Sequence, residues 1–410
     1  MIQKPRGTRD FLPKEMSERR FIENKMRGIA KNFGYGEVVT PMFEEQELFT
    51  LKSGEGIIGE MYAFEDKGGR KIALRPEITA AVSRAYVNEA QVAPKPLRWF
   101  YFAECFRYER PQKGRYRQFW QFGCELIGAD SAAADAEVIA LSYELLKCSG
   151  VRFTIKVGHL APMKHLLSGL DAFAQKKVMA ALDKRDLDLL KETLATLEKP
   201  ELYEPLAGLT TAQTLDEVFK ITGDIPDKNR IIETFKYLDA QNIPYVLNFG
   251  IARGLDYYTG MVFEGFADNL GAENQILGGG VYRLAHLFGG KDTPSCGFAI
   301  GFDRVLVSLG EFEPPKKPCA AVVCTPETRE FALSVAAEFR KAGICAVMDL
   351  MDRGFSAQLS SAIKSGATHA VVIGAKEAES KTITLKNLET SNQKEMNISE
   401  AVSEVLNGIS

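Results

Sequence analysis

Cationic and aromatic side chains crowd one stretch of this 410-residue chain: Arg107, Arg110, Lys113, Arg115 and Arg117 fall within eleven residues, interleaved with Tyr108, Tyr116 and Phe119. An arginine fork donates two hydrogen bonds to a phosphate at once, each charge-assisted bond being worth roughly 1.5–3 kcal/mol. Strand-forming residues flank the run, and Pro111 and Gly114 sit where a turn is needed. The pattern reads as two strands joined by a basic loop, with arginines at the strand ends able to clamp a nucleotide. The plain alternative is a solvated loop, or arginines that only ion-pair with Glu104, Glu109 and Glu125 on neighbouring strands.

Three further clusters carry candidate chemistry. Residues 253–260 read RGLDYYTG, and composition supplies no ordinary reason for a charged residue, a glycine and paired tyrosines to open a strand together. The structural alternative is Tyr257 and Tyr258 as core aromatics with Arg253 paired to Asp256. Residues 74–80 read LRPEITA and offer Glu77 and Thr79. Residues 297–305 read GFAIGFDRV, a glycine-bearing strand leading into a helix that carries Arg304; Gly301 there also has a plain packing explanation.

The elements that must position these groups can be read from periodicity. Residues 16–33 form a charged amphipathic helix ended by Gly34-Tyr35-Gly36, and residues 37–41 a strand closed by Pro41. Strands are expected at 71–74, 97–104, 117–127, 245–249 and 258–266, a helix at 135–148, and a strand and helix pair at 295–309, with the glycine cluster Gly278-Gly279-Gly280 leading into a glycine-rich turn over residues 279–283. Strands without regular alternation favour an antiparallel sheet flanked by helices. Between about 163 and 238 the residues turn to Leu, Lys, Asp and Ala at helical spacing, which reads as a helical insertion. Residues 311–318 hold three prolines and two lysines, a linker composition. Beyond it, strands at 319–324, 345–350, 369–373 and 382–385 alternate with helices at 328–342 and 356–365, and a last helix begins at 399. That is a small α/β domain over residues 319–410.

Composition excludes several classes. With 45% hydrophobic and 26% charged residues the chain can bury large cores, and its length suits two or three packed units. No apolar run approaches the roughly 18 residues of a membrane span, and the first ten residues lack a secretory core, which leaves the cytoplasm as the expected address. Seven cysteines form no C-x-x-C pair and four histidines show no ligand spacing, so neither a disulfide framework nor a protein-held metal is indicated. Net charge is −3, so any nucleic-acid contact must rest on local basic patches.

The motifs together resemble the class II aminoacyl-tRNA synthetases, in the form found in the histidine enzymes. Residues 106–123 look like motif 2, 297–305 like motif 3, 38–44 with Pro41 like motif 1, and RGLDYYTG like the histidine-binding motif. Residues 5–13, PRGTRDFLP, resemble the family's opening. The resemblance implies an α+β fold: an antiparallel-sheet catalytic domain over residues 1–312 with its helical insertion, and a C-terminal α/β anticodon-binding domain. It implies a histidine–tRNA ligase that uses ATP with accompanying Mg²⁺ to form histidyl-adenylate and pyrophosphate, then loads the 3′ end of a tRNA. It further implies a homodimer built through motif 1.

Roles carry over residue by residue. Arg107 matches the arginine on the ATP α-phosphate and substrate carboxylate, and Arg253 the one that reaches the α-phosphate from the opposite side; these are the catalytic pair. A cation placed at the developing charge stabilises the transition state more than the ground state. Arg115 matches a residue near the outer phosphates, Arg304 one against the adenine and γ-phosphate, and Gln112 one near the tRNA acceptor end. Glu77 and Thr79 match the binders of the α-ammonium, and Glu125 and Tyr258 the readers of the imidazole. Gln121, Leu255, Tyr257 and Tyr282 complete the histidine pocket. A neutral imidazole has one donor and one acceptor nitrogen, which a carboxylate and a hydroxyl can fix.

Two departures stand out. Val281 and Arg283 flank Tyr282 where many members have arginine before and aspartate after, and Trp120 replaces a frequent histidine. One competing reading is an inactive, histidine-sensing regulatory paralogue of ATP phosphoribosyltransferase. Such paralogues typically lack the anticodon module and parts of the arginine motifs, both of which survive here. A synthetase of the same class for proline or threonine is opposed by the intact RGLDYYTG and by Glu125.

Overall fold

The computed structural model describes residues 2–110, 114–184, 186–251, 257–271 and 274–407. The chain divides into two compact units, Met1–Phe312 and Glu313–Ser410.

An eight-stranded sheet frames the first unit. Its order is Gly36–Glu37, Leu97–Phe106, Gln118–Ile127, Ser295–Gly301, Gln275–Tyr282, Tyr258–Ala267, Phe153–His159 and Val246–Leu247. The six inner strands run antiparallel, and only the two short edge strands pair in parallel. Alternation along Gln118–Ile127 sorts its side chains. Phe122, Cys124 and Leu126 enter the main core with Met26 of helix Pro13–Asn32 and Val138 and Leu141 of helix Ala132–Ser149. The residues between them, Phe119, Gln121 and Glu125, therefore face the opposite side of the sheet, where the candidate site lies.

Three strand expectations need correction; one is residues 245–249, which form only the two-residue strand Val246–Leu247. Residues 37–41 form only the two-residue strand Gly36–Glu37. Beyond it the carbonyls of Thr40 and Pro41 accept from the buried Arg75 guanidinium at 2.9 and 3.2 Å, which takes the place of a neighbouring strand. The glycines 278–280 are no turn; they lie within strand Gln275–Tyr282. A β-carbon on Gly279 would stand 2.4 Å from Phe263 Cζ and 2.6 Å from Phe298 Cβ, so glycine there lets the flanking strands' side chains cross.

Between the strands Phe153–His159 and Val246–Leu247 stand, among the described residues, six α-helices, from Leu160–Leu166 to Lys228–Ala240. Local caps start several of them: Asp171, Asp186 and Thr214 accept from the backbone of Ala174, Leu189 and Glu217. Each such cap is worth about 1 kcal/mol. Leu190, Leu194, Leu206, Val218 and Phe235 are buried among them. Strands Phe43–Glu45, Lys71–Leu74 and Tyr62–Glu65 make a separate three-stranded sheet.

The second unit carries a five-stranded sheet in the order Cys345–Met348, Cys319–Cys324, His369–Ile373, Ile383–Asn387 and Gln393–Met396. The first three are parallel, as strand–helix alternation demands, and the last two add antiparallel. Helix Ala375–Ser380 and strand Gln393–Met396 went unread in the sequence; both are short, and the strand is mostly exposed and polar.

Candidate functional site

The basic run closes the hairpin of Leu97–Phe106 and Gln118–Ile127. Beyond the last paired residues, Phe106 and Gln118, the Arg107 N–H donates to the Arg117 carbonyl at 3.0 Å. Arg107 then turns toward residue 76, donating Nε to the Pro76 carbonyl at 3.0 Å, and its guanidinium lies 5.4 Å from the Phe119 ring. Glu109 stands 3.8 Å from Arg107 and 3.5 Å from Arg115, so the ion pairs open as an alternative do form. They are loose, and both arginines keep about a third of their side chains exposed (34% and 36%). Pairs of that kind contribute little stability.

These arginines line a cavity of about 320 Å³ together with Tyr116, Gln121, Tyr257, Tyr258 and Arg304. Its rim also carries Glu264 and Gln275, which the sequence reading passed over; Gln275 donates to the Glu264 carboxylate at 3.0 Å. A period-two strand pattern was the signal available for them.

Glu125, on the same face of its strand as Gln121, is fully buried. Tyr282 donates to its Oε2 at 2.6 Å and Tyr101 to its Oε1 at 3.2 Å. Burial pushes the carboxyl up to about 7, although the hydroxyls of Tyr282 and Thr79 and the charge of Lys52 favour ionisation. Tyr282 reaches it because the strand that carries Tyr282 opposes Tyr258 on one side and Ser295 on the other. Tyr101 was not anticipated.

Lys52 was not anticipated either. Its ammonium lies 2.8 Å from Glu77 Oε2 and 4.5 Å from the Tyr257 ring, while Glu77 Oε1 accepts from Ala80 N at 3.1 Å. Glu77 thereby caps the helix Thr79–Ala85 and holds a buried cation, yet keeps lone pairs for another donor. Nothing in the local sequence 46–53 separates Lys52 from an ordinary solvated helix lysine.

The structure brings Arg107, Arg115, Gln121, Tyr257, Tyr258 and Arg304 to one cleft. Glu77, Thr79, Glu125 and Tyr282 are linked through Lys52 and the Glu125 carboxyl. Gln112, Arg253 and Leu255 lie outside the described residues. Of the two departures, Val281 is buried in the core, and Arg283 points to Asp292 and Asp130 at 2.8 and 2.6 Å. Trp120 packs edge-on to Phe11 at 5.4 Å and under the Arg19 guanidinium at 4.6 Å.

A six-strand antiparallel core bearing an arginine hairpin, in a chain that also carries a separate α/β unit, has the architecture of an aminoacyl-tRNA synthetase, and known proteins agree. Residues 7–305 match the family model described as histidyl-tRNA synthetase, and residues 318–408 the one described as anticodon binding domain. The histidine–tRNA ligase of Methanocorpusculum labreanum is 78% identical over 100% of this chain and 99% of its own length. That of Methanoregula boonei is 66% identical over 99% and 98%. The crystal structure of apo S. aureus histidyl-tRNA synthetase superposes with a TM-score of 0.74 at 28% identity, covering 99% of this chain and 100% of that one. The chain belongs to the histidyl-tRNA synthetase family.

Proposed function

We propose that this chain is a histidine–tRNA ligase: it joins L-histidine to ATP as histidyl-adenylate, releasing pyrophosphate, and then passes histidine to the 3′ end of its tRNA. The observation that carries the reading is Glu125, buried and held by two tyrosine hydroxyls beside a cleft lined by Arg107, Arg115 and Arg304.

In this reading the Glu125 carboxylate accepts the imidazole N–H and a hydroxyl from Tyr258 meets the other ring nitrogen. Glu77 and Thr79 receive the α-ammonium, and Gln121, Leu255, Tyr257 and Tyr282 complete the walls. The histidine carboxylate attacks the α-phosphorus in line, with Arg107 and Arg253 on its non-bridging oxygens as charge develops there. Arg115 and Arg304 hold the outer phosphates and the base, and Gln112 stands near the acceptor end of the tRNA. Family likeness supports these assignments, with Arg253 central to them.

Mg²⁺ accompanying ATP would neutralise the outer phosphates. Such a hard cation needs only one or two carboxylates beside its waters and phosphates, a demand that Glu264 and Glu109 on the cleft fit. The second unit's likeness to anticodon binding domains supports tRNA as partner, with the unit boundary near residue 312 separating the two tasks and the helices of about 163–238 as an insertion into the catalytic one. A homodimer and a cytoplasmic address belong to the same proposal; Val39, Met42 and Phe43 are exposed apolar residues on the motif 1 segment that a second copy would cover.

The test is ATP–pyrophosphate exchange with each of the twenty amino acids in turn. Exchange with histidine alone is expected. No exchange with any amino acid, while histidine still binds by calorimetry, would overturn the ligase reading in favour of a regulatory paralogue.

A further inference from the structure

Residues 5–12 run along the back of the nucleotide cleft and touch it at several points. The Gly7 carbonyl accepts from Arg117 N at 2.9 Å, and the Arg117 carbonyl in turn accepts from Arg107 N at 3.0 Å. A single residue of the arginine hairpin, Arg117, is thus held through its N–H by residue 7 and through its carbonyl by Arg107. The approach is close enough to need glycine: Gly7 has φ +85°, and a β-carbon there would stand 2.7 Å from Arg117 Cγ.

Two residues further on, the Arg9 guanidinium lies face-on over the Tyr116 ring, 3.3 Å from its centroid, and donates to Asp303 Oδ1 at 2.6 Å. Asp303 is almost wholly buried. Its Oδ1 also accepts from Arg19 at 2.7 Å, and its Oδ2 from Trp120 N at 2.7 Å. Arg19 is itself packed against the rings of Phe11, Trp120 and Phe302 at 4.2, 4.6 and 5.1 Å. One carboxylate therefore ties together residues 5–12, the first helix, the returning strand of the hairpin and the start of the helix Phe302–Leu309. Tyr116, Trp120, Asp303 and the adjacent Arg304 all line the cleft.

We infer that residues 5–12 form a rear brace of the nucleotide cleft, in which Arg9 and Asp303 are positioning residues that fix Tyr116, Arg115 and Arg304 for a nucleoside triphosphate. This deepens the ligase reading and rests on it for the identity of the ligand. A carboxylate held by two arginines, each also stacked on aromatic rings, makes a rigid joint. The contacts of Gly7, Arg9 and Phe11 run to Tyr116, Arg117, Trp120 and Asp303, on the nucleotide side, so their loss should be felt by ATP and not by histidine.

The experiment compares the full-length chain with Arg9→Met, Arg9→Lys and Asp303→Asn. Histidine-dependent ATP–pyrophosphate exchange is measured with the KM for ATP and for histidine determined separately. Tryptic cleavage after Arg115 and Arg117 is followed without ligands. For Arg9→Met we expect kcat/KM for ATP to fall by roughly 10²-fold, the KM for histidine to stay within about twofold, and cleavage after Arg115 to accelerate. Arg9→Lys keeps the charge on Asp303 but not the planar stack on Tyr116, and should recover part of the loss. Unchanged ATP parameters with unchanged cleavage would overturn the inference. So would equal rises in both KM values alongside a lowered Tm, which is what a merely structural anchor produces. Absence of exchange in the unmodified chain would sink the ligase reading instead, and the cleavage rates would still decide whether the brace exists. If Arg9→Met fails to fold, Arg9→Lys carries the same comparison.

Discussion

Tyr282 and Glu125, 157 residues apart in sequence, meet in a buried hydrogen bond of 2.6 Å that leaves the carboxylate's other oxygen to Tyr101. Removing the Tyr282 hydroxyl strips a charge-assisted bond from a group with no access to water. Tyr282→Phe should therefore weaken histidine binding by roughly tenfold and lower stability by about 1–3 kcal/mol. Calorimetric titration with histidine and urea unfolding check the two effects; an unaltered affinity would remove Tyr282 from the pocket's working parts.

Glu125 also sets a pH dependence. Its carboxyl stands near 7 in the folded protein against an ordinary value of 4.5. A folded value above the unfolded one means that its stabilising share is complete below about pH 4.5 and is lost as pH rises through about 7, by on the order of 3 kcal/mol. Glu125→Gln does not titrate, so the ligand-free parent should lose stability relative to this variant between pH 5 and 8. Parallel stability curves across that window would contradict the burial argument.

In the proposed function Arg253 makes the second α-phosphate contact. Arg253→Ala should slow adenylate formation by about 10²-fold or more, the loss typical of a transition-state donor, with little change in histidine affinity. Single-turnover formation of the adenylate measures the first and calorimetry the second. A variant with full turnover would end the assignment.

Gly297 lies beneath Glu125. A β-carbon at that position would stand 1.7 Å from Glu125 Oε2 and 2.8 Å from the Cys124 carbonyl. Gly297→Ala should displace the carboxylate, abolish measurable histidine binding and cost about 1–3 kcal/mol or more. Gly59→Ala, where a β-carbon meets nothing within 4 Å, is the matched control. Equal behaviour of the two variants would show that the strand pair yields more easily than its contacts suggest.

Much of the frame was legible in the sequence because it rests on local periodicity: the strands Leu97–Phe106 and Gln118–Ile127, the helix Ala132–Ser149 and the parallel strands of the second unit all announce themselves by alternation or helical spacing. The arginines and tyrosines of the site stood out for the same reason, as unusual types at close spacing. What stayed hidden depends on partners remote in sequence. Lys52 becomes a buried cation only through Glu77, 25 residues away, and Tyr101 joins the pocket only through Glu125, 24 away on the paired strand. Strand Gln275–Tyr282 was mistaken at its glycines because their function is steric clearance for Phe263 and Phe298. No window of neighbouring residues contains that information.

The longest of these dependencies joins Arg9 to Asp303 across 294 positions. Arg9 and Arg19 precede their shared carboxylate by 294 and 284 positions, so both are made well before it. The contacts on Asp303 consequently cannot form before residue 303 has been made. Contacts of such sequence separation bear a loop-closure cost that local contacts escape.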